Sequence, residues 1–226
     1  MGARIYMSER KTYAVIGLGI FGSAVAKTLA RAGMDVIAID NNILAVENIS
    51  DTVDNAVKCD STNIEQLKEA GVQNCDVVIL AMGSRLEESL ITIIQLKELG
   101  VKKIVAKANN NNYKYLLERA GATRVIQPEK EMGVRVASFI MTPNIKDMVR
   151  LDDKYAFVEM KTPSLWQGKT LRELNLRAAY GVNVIGIRSD DQSPMQMMID
   201  AGRPLSADET LMMIVDREQF DKLKLE

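Results

Sequence analysis

The residues with the plainest chemical promise lie near the start of the chain. Gly17, Gly19 and Gly22 form a Gly-x-Gly-x-x-Gly series between an apolar run, Tyr13-Ala14-Val15-Ile16, and a segment with helical spacing, Ser23-Ala24-Val25-Ala26. A strand that turns tightly into a helix leaves the first helical N–H groups unpaired and the positive dipole end facing the gap, which suits an anion. Gly17 allows the turn, Gly19 lets phosphates approach the backbone, and Gly22 lets the helix pack close to the strand. Ile20 and Phe21 open that helix and belong to the same cradle. The glycine series alone is weak evidence, so its context matters. A second strand over 34–40 ends on Asp40, 18 residues after Gly22, with Asn41 next. A carboxylate there accepts hydrogen bonds from ribose hydroxyls and repels a 2′-phosphate. An adenine nucleotide is the expected ligand; glycines that only fold a βαβ unit are the alternative.

Stepping outward, the elements needed to hold these residues follow in regular alternation. Strands are predicted near 12–16, 34–39, 55–59, 76–82, 103–107 and 124–127, and helices near 20–32, 42–50, 61–70, 84–99 and 111–120. This predicts an α/β fold, a Rossmann-like doubly wound parallel sheet of six strands. Val77-Val78-Ile79-Leu80-Ala81 is apolar without alternation, as a strand covered on both faces must be. Ligands on such sheets bind at the carboxyl ends of the strands. Those ends add Asp60, Ser61 and Thr62 after the third strand, Ala81, Met82 and Gly83 after the fourth, and Lys107 after the fifth. Each has a plainer alternative. Asp60 or Ser61 can cap a helix, Gly83 can serve only the turn, and Lys107 can be a strand-end lysine rather than a phosphate contact. Asn109-Asn110-Asn111-Asn112 reads as a turn with no chemistry.

Composition limits the chemistry further. With 226 residues, 47% hydrophobic and 26% charged, the chain has a globular composition, and a net charge of −1 argues against non-specific nucleic-acid binding. No apolar run reaches membrane-span length and no signal-peptide core is present, so a soluble cytoplasmic protein is expected. Cys59 and Cys75 lack disulfide or metal spacing and read as buried thiols. The chain has no histidine, which removes the commonest general base, the Ser/His and Cys/His nucleophiles and His-based metal sites. A non-enzymatic role is expected; a small NAD-dependent oxidoreductase is the alternative.

Beyond the sixth strand the texture changes. Pro128 ends it and a helix runs to about Met141, with Glu129 and Glu131 in the first turn, where acids favour the dipole. Its apolar residues Met132, Val136, Phe139 and Ile140 find no place in a completed six-stranded core, so it is expected to cross over onto a partner subunit. Residues 11–141 are therefore assigned to a nucleotide-binding domain with crossover helix, 142–150 to a linker with some helical character, and 151–226 to a small α+β regulatory domain. Strands are expected near 156–160, 182–188 and 210–215, helices at 171–174 and near 217–223. Met195, Met197, Met198, Met212 and Met213 suggest soft packing or a subunit interface rather than a metal site.

Taken together, the motifs resemble the RCK family (regulators of K⁺ conductance), in particular its cytosolic Ktr/Trk-type gating subunits. The resemblance rests on the glycine series, the segment ending at Asp40, Asp60-Ser61-Thr62, Ala81-Met82-Gly83, Val105-Ala106-Lys107, Pro128-Glu129-Lys130-Glu131-Met132-Gly133 and Leu174-Asn175-Leu176-Arg177 through Tyr180-Gly181-Val182-Asn183. It implies ATP, ADP or NAD(H) bound as an effector in the first domain, pairing through the crossover helix, and an octameric ring beneath a membrane-embedded K⁺ channel or transporter subunit. It also implies cyclic di-AMP in the second domain, drawing by motif position on Leu176, Arg177, Asn183 and Pro204. An arginine fork suits phosphate; pairing of Arg177 with Glu173 one turn back is the alternative. Glu129 matches a family position associated with a cation at the subunit interface. One departure is Ile20, where many Ktr members carry an arginine that reaches the γ-phosphate. Its absence predicts poor discrimination among adenine nucleotides.

Overall fold

The computed structural model describes residues 10–141, 144–190 and 192–220, without the side chains of Ser138, Phe139 and Met141. Internal contacts divide the chain into two compact units between Lys130 and Glu131. In the first, β1 (Thr12–Ile16), β2 (Asp35–Asp40), β3 (Asn55–Lys58), β4 (Val77–Leu80), β5 (Ile104–Lys107) and β6 (Arg124–Ile126) form one parallel sheet in the order β3-β2-β1-β4-β5-β6. The helices between them are α1 (Ile20–Arg31), α2 (Ile43–Glu47), α3 (Ile64–Glu69), α4 (Leu86–Glu98) and α5 (Asn111–Ala120).

The continuous apolar strands supply both faces of this sheet, because successive side chains point to opposite sides. Ala14, Ile16, Ile39, Val78 and Leu80 face a core shared with Leu67 of α3, Ile93 and Leu96 of α4 and Leu117 of α5. Val15, Val36, Ala38 and Ile79 face the opposite core with Ala26 of α1 and Val46 of α2. The register that pairs Ile16 with both Ile39 and Leu80 lines up the ends of β1, β2 and β4. The order turns at β1, with β2 on one side and β4 on the other, and the Gly-rich turn leaves β1 at that switch point.

In the second unit, β7 (Ile145–Arg150), β8 (Tyr155–Lys161), β9 (Val182–Arg188) and β10 (Thr210–Asp216) form an antiparallel sheet in the order β7-β8-β10-β9. Alternate residues Ala156, Val158 and Met160 with Leu211, Met213 and Val215 face a core that includes Trp166, Leu176 and Phe220. Helices α7 (Leu171–Leu174), α8 (Leu176–Tyr180) and α9 (Arg217–Phe220) complete it, after α6 (Pro128–Met141). The small α+β expectation holds.

One expectation changes. Residues 145–150, read as a linker with helical character, are strand β7, paired to β8 with a register shift between Ile145 and Asp147. A strand needs a partner to satisfy its backbone, and that partner lies beyond the local window. The methionines divide between the core and the surface. Met213 is fully buried in the core, while Met198 is 97% exposed. The end of the last helix beyond Phe220 and Phe139's side chain lie outside the described residues.

Candidate functional site

At the carboxyl ends of β1 to β5 a cavity of about 560 Å³ opens, and most of the predicted residues meet in it. Gly17, Gly19, Asp40, Asn41, Asp60, Ser61, Ala81, Met82, Gly83, Lys107 and Glu129 all line it. Ile20, Phe21, Gly22 and Thr62 do not. Gly22 serves packing instead: a Cβ there would lie 1.8 Å from the Gly17 carbonyl oxygen. Gly17 has φ +93°, a conformation that favours glycine. Gly19 is the N-cap of α1, and a Cβ added to it would meet nothing within 4 Å. That open space, above a helix start with no side-chain cap, is the room a phosphate needs.

Asp40 holds the cradle from the side. Its Oδ2 accepts the Leu18 backbone N–H at 2.6 Å and its Oδ1 accepts that of Asn42 at 2.8 Å. The Gly17 N–H donates to the Ile39 carbonyl at 2.8 Å. The carboxylate therefore has a fixed orientation, and each oxygen retains acceptor capacity for a ribose hydroxyl.

The loop after β3 is not a helix cap. Asn63 caps α3, its Oδ1 accepting from Glu65 N and Gln66 N. Asp60 instead accepts from the backbone and hydroxyl of Thr62, whose hydrogen bonds hold its carboxyl below the usual range. Ser61 is buried, with Thr92 Oγ1 of α4 3.0 Å from its carbonyl oxygen, and Gln95 Nε2 donates to the Thr62 carbonyl at 2.7 Å. The loop is thus pinned by α4, and its polar edge faces the cavity.

At Gly83 a Cβ would lie 2.4 Å from Asn109 Oδ1 and 3.0 Å from Lys107 Cε, so glycine there lets two other cavity-lining side chains pack against the backbone. Lys107 Nζ is ion-paired with Glu129 and stands 5.7 Å from the Phe21 ring centroid. The lysine, hydrogen-bonded to the Glu129 carboxylate, holds its carboxyl below the usual range. Among the described residues no group of three or more His, Cys, Asp and Glu could hold a metal ion. A cation at Glu129 would need groups from elsewhere.

Sequence reasoning missed Arg85, Glu88 and Asn109, which also line the cavity, as do Cys59 and Ser84 at the ends of the third and fourth strands. Arg85 Nη1 pairs with Glu88 at 3.1 Å. Asn109 had a signal in its position two residues after Lys107 at a strand end; the neighbouring Asn110 is the N-cap of α5.

Of the four predicted residues in the second unit, two lie on α8, one on β9 and one at the bridge to Thr170. The side chain of Leu176 is buried in the core. Arg177 and Asn183 are exposed on the adjoining elements α8 and β9, and Pro204 forms a bridge with Thr170. Glu173 is occupied in a capping box with Thr170, not in an ion pair with Arg177.

Two family models match successive parts of the chain. The TrkA-N domain model matches residues 13–128 and the TrkA-C domain model residues 156–225. Ktr system potassium uptake protein C of Bacillus subtilis (strain 168) is 37% identical over 179 residues, covering 79% of this chain and 81% of the relative. Ktr system potassium uptake protein A of Vibrio alginolyticus is 35% identical over 178 residues, 79% of this chain and 81% of the relative. The GsuK channel bound to NAD matches in fold, with a TM-score of 0.66 at 15% identity over 94% of this chain, which spans 38% of that one. With both domain models and these relatives in agreement, the chain belongs to the TrkA-N/TrkA-C family, that of the Ktr and Trk potassium uptake proteins.

Proposed function

We propose that this protein is a ligand-gated regulatory subunit of a K⁺ uptake system. An adenine nucleotide, ATP/ADP or NAD(H), occupies the cavity of the first domain as an effector that is bound and not consumed. The observation that carries this reading is the single cavity in which the open Gly19 cradle and the backbone-held Asp40 stand side by side. The charged side chains lining it are already engaged: Asp40 and Asp60 by N–H or O–H donors, Arg85 by Glu88 and Lys107 by Glu129. Such groups suit recognition better than proton transfer. The kinship with Ktr proteins and the fold shared with an NAD-bound channel support the same assignment.

The partner in this reading is a Trk/Ktr-type membrane subunit, reached from the cytoplasmic face of the membrane. Among the described residues no helix is long and apolar enough to cross a membrane. The exposed apolar residues Met132, Val136 and Ile140 on α6 support pairing of two copies, the unit of an octameric ring. The second domain binds cyclic di-AMP at Leu176, Arg177, Asn183 and Pro204, of which the last three are at exposed positions. Effector binding shifts a two-state equilibrium by the difference in affinity between states, about 1.4 kcal/mol per site for a tenfold difference. Ile20, 95% exposed at the start of α1, brings no charge that favours a third phosphate.

Mass spectrometry of small molecules released from the purified full chain, with calorimetric titration of ATP, ADP and NAD⁺, tests the reading. Binding without turnover, with ATP and ADP of similar affinity, is expected. Absence of any adenine-containing ligand, or sustained conversion of one, overturns it; a strong ATP preference overturns the role given to Ile20.

A further inference from the structure

The antiparallel sheet of the second unit ends on β9, whose outer edge needs a partner for its backbone groups. The short segment 194–198 supplies one. Gln196 exchanges two hydrogen bonds with Ile187 of β9: the Ile187 N–H donates to the Gln196 carbonyl at 2.9 Å, and the Gln196 N–H to the Ile187 carbonyl at 2.8 Å. Side chains alternate along an extended chain, so Met195 and Met197, on either side of Gln196, turn to the same face as each other. They converge on Gly186. A Cβ added there would lie 2.9 Å from Met195 Sδ and 3.1 Å from Met197 Sδ, so both thioethers occupy the space that a larger residue would fill. Gly186 is buried beneath them.

This contact joins packing to access. Met197 is 58% exposed although its sulfur rests on the strand, and Met195 is half-buried. Met160 and Met213 are fully buried in the core of the same unit, out of reach of a solute. Met198 is 97% exposed, so a change at its sulfur removes no packing. One short stretch thus holds two methionines whose sulfurs fasten it to the sheet and a third that serves as an internal reference.

We propose that Met195 and Met197 are a modification site for peroxides, and that their oxidation releases 194–198 from the edge of β9. A sulfur lone pair attacks one oxygen of hydrogen peroxide; the S–O bond forms as the O–O bond breaks. The proton of the transferred oxygen passes to the departing one, which leaves as water. The sulfur is oxidised by two electrons and the peroxide reduced by two, giving methionine sulfoxide. The sulfoxide is polar and chiral, and against a glycine backbone it has no donor to satisfy its oxygen. It turns to water, and two backbone hydrogen bonds alone then hold the segment. The freed edge of β9 presents unpaired N–H and C=O groups, a surface that can pair with another strand.

Hydrogen peroxide titration of the full chain, read by peptide mass spectrometry and by hydrogen exchange resolved by NMR, tests this in wild type, Met198→Leu and the double variant Met195→Leu/Met197→Leu. Leucine keeps the volume and removes the sulfur. In wild type, Met195 and Met197 are expected to gain one oxygen each, and the Ile187 and Gln196 amides to exchange roughly tenfold faster or more, while the β10 amides stay protected. Met198→Leu should respond as wild type does, and the double variant should keep both amides protected after peroxide. Methionine sulfoxide reductases acting on both epimers should restore protection in the oxidised wild type. Oxidation of Met198 alone, or sulfoxides at Met195 and Met197 with unchanged exchange at Ile187 and Gln196, overturns the proposal. So does equal loss of protection in the double variant, or simultaneous loss in β10, which marks global unfolding. Should the double variant not fold, the wild-type oxygen positions, exchange rates and reversal still decide.

Discussion

Two glycine-to-alanine substitutions three residues apart should have opposite phenotypes, because the same added methyl meets different surroundings. Gly22 is buried within α1, where replacing glycine by alanine ordinarily stabilises a helix by about 0.5–1 kcal/mol. Here the new Cβ would sit 1.8 Å from the Gly17 carbonyl oxygen, 3.0 Å from the Gly17 carbonyl carbon and 3.1 Å from Ala81 Cβ. The obstacle is backbone on one side and a buried strand-end residue on the other, so α1 must move off the sheet. Overpacking of this kind costs about 1–3 kcal/mol or more, which outweighs the propensity gain. A net loss of about 2 kcal/mol lowers Tm by roughly 4–8 °C for a protein of this size. Gly19→Ala meets nothing within 4 Å and has φ −66°, which any residue adopts. Its stability should stay within about 0.5 kcal/mol of wild type, while the methyl occupies the phosphate space and weakens ADP at least tenfold, about 1.4 kcal/mol. Thermal unfolding without ligand, beside ADP titration, separates the two. An unchanged Tm for Gly22→Ala would refute the packing argument, and full ADP affinity in Gly19→Ala would remove the phosphate from the cradle.

Four further outcomes follow from particular contacts. Asp40→Asn presents an amide donor near Leu18 N or Asn42 N, and should cost about 1–2 kcal/mol in urea unfolding together with a loss of nucleotide affinity. Burial pushes the Cys59 and Cys75 thiols up to about 11 from 9.0, so both stay protonated in the folded state while the unfolded chain ionises. Their contribution is complete below pH 9 and is lost as pH rises through 11; urea midpoints should fall over that window, less steeply in a Cys59→Ala/Cys75→Ala variant. On the proposed pairing through α6, Val136→Asp should weaken self-association at least tenfold, about 1.4 kcal/mol, in sedimentation equilibrium. Arg177→Ala should weaken cyclic di-AMP binding and spare nucleotide binding to the first domain; equal loss of both would indicate misfolding instead.

The limits of local reading show most clearly after Thr170. The Leu171–Leu174 helix was legible in the sequence, but α8 was not, because Asn175 adopts φ 43° and separates the two helices. The family motif brought Leu176 into a candidate ligand site; the structure shows its side chain in the small core, since α8 turns one apolar residue inward.

What the residues determined by themselves was everything set by short-range stereochemistry. The turn at Gly17, the open N-terminus at Gly19, the close packing at Gly22 and the acid closing β2 follow from spacing along one βαβ unit. The two-faced core follows from apolar strands whose neighbours alternate sides. Only the tertiary structure decided which distant residues share the cavity. Asn109, Arg85 and Glu88 join it because the parallel register brings loops to one edge of the sheet. The Lys107–Glu129 pair was equally out of reach of the sequence, since a charge has no partner until the fold fixes the distance between strand end and helix start.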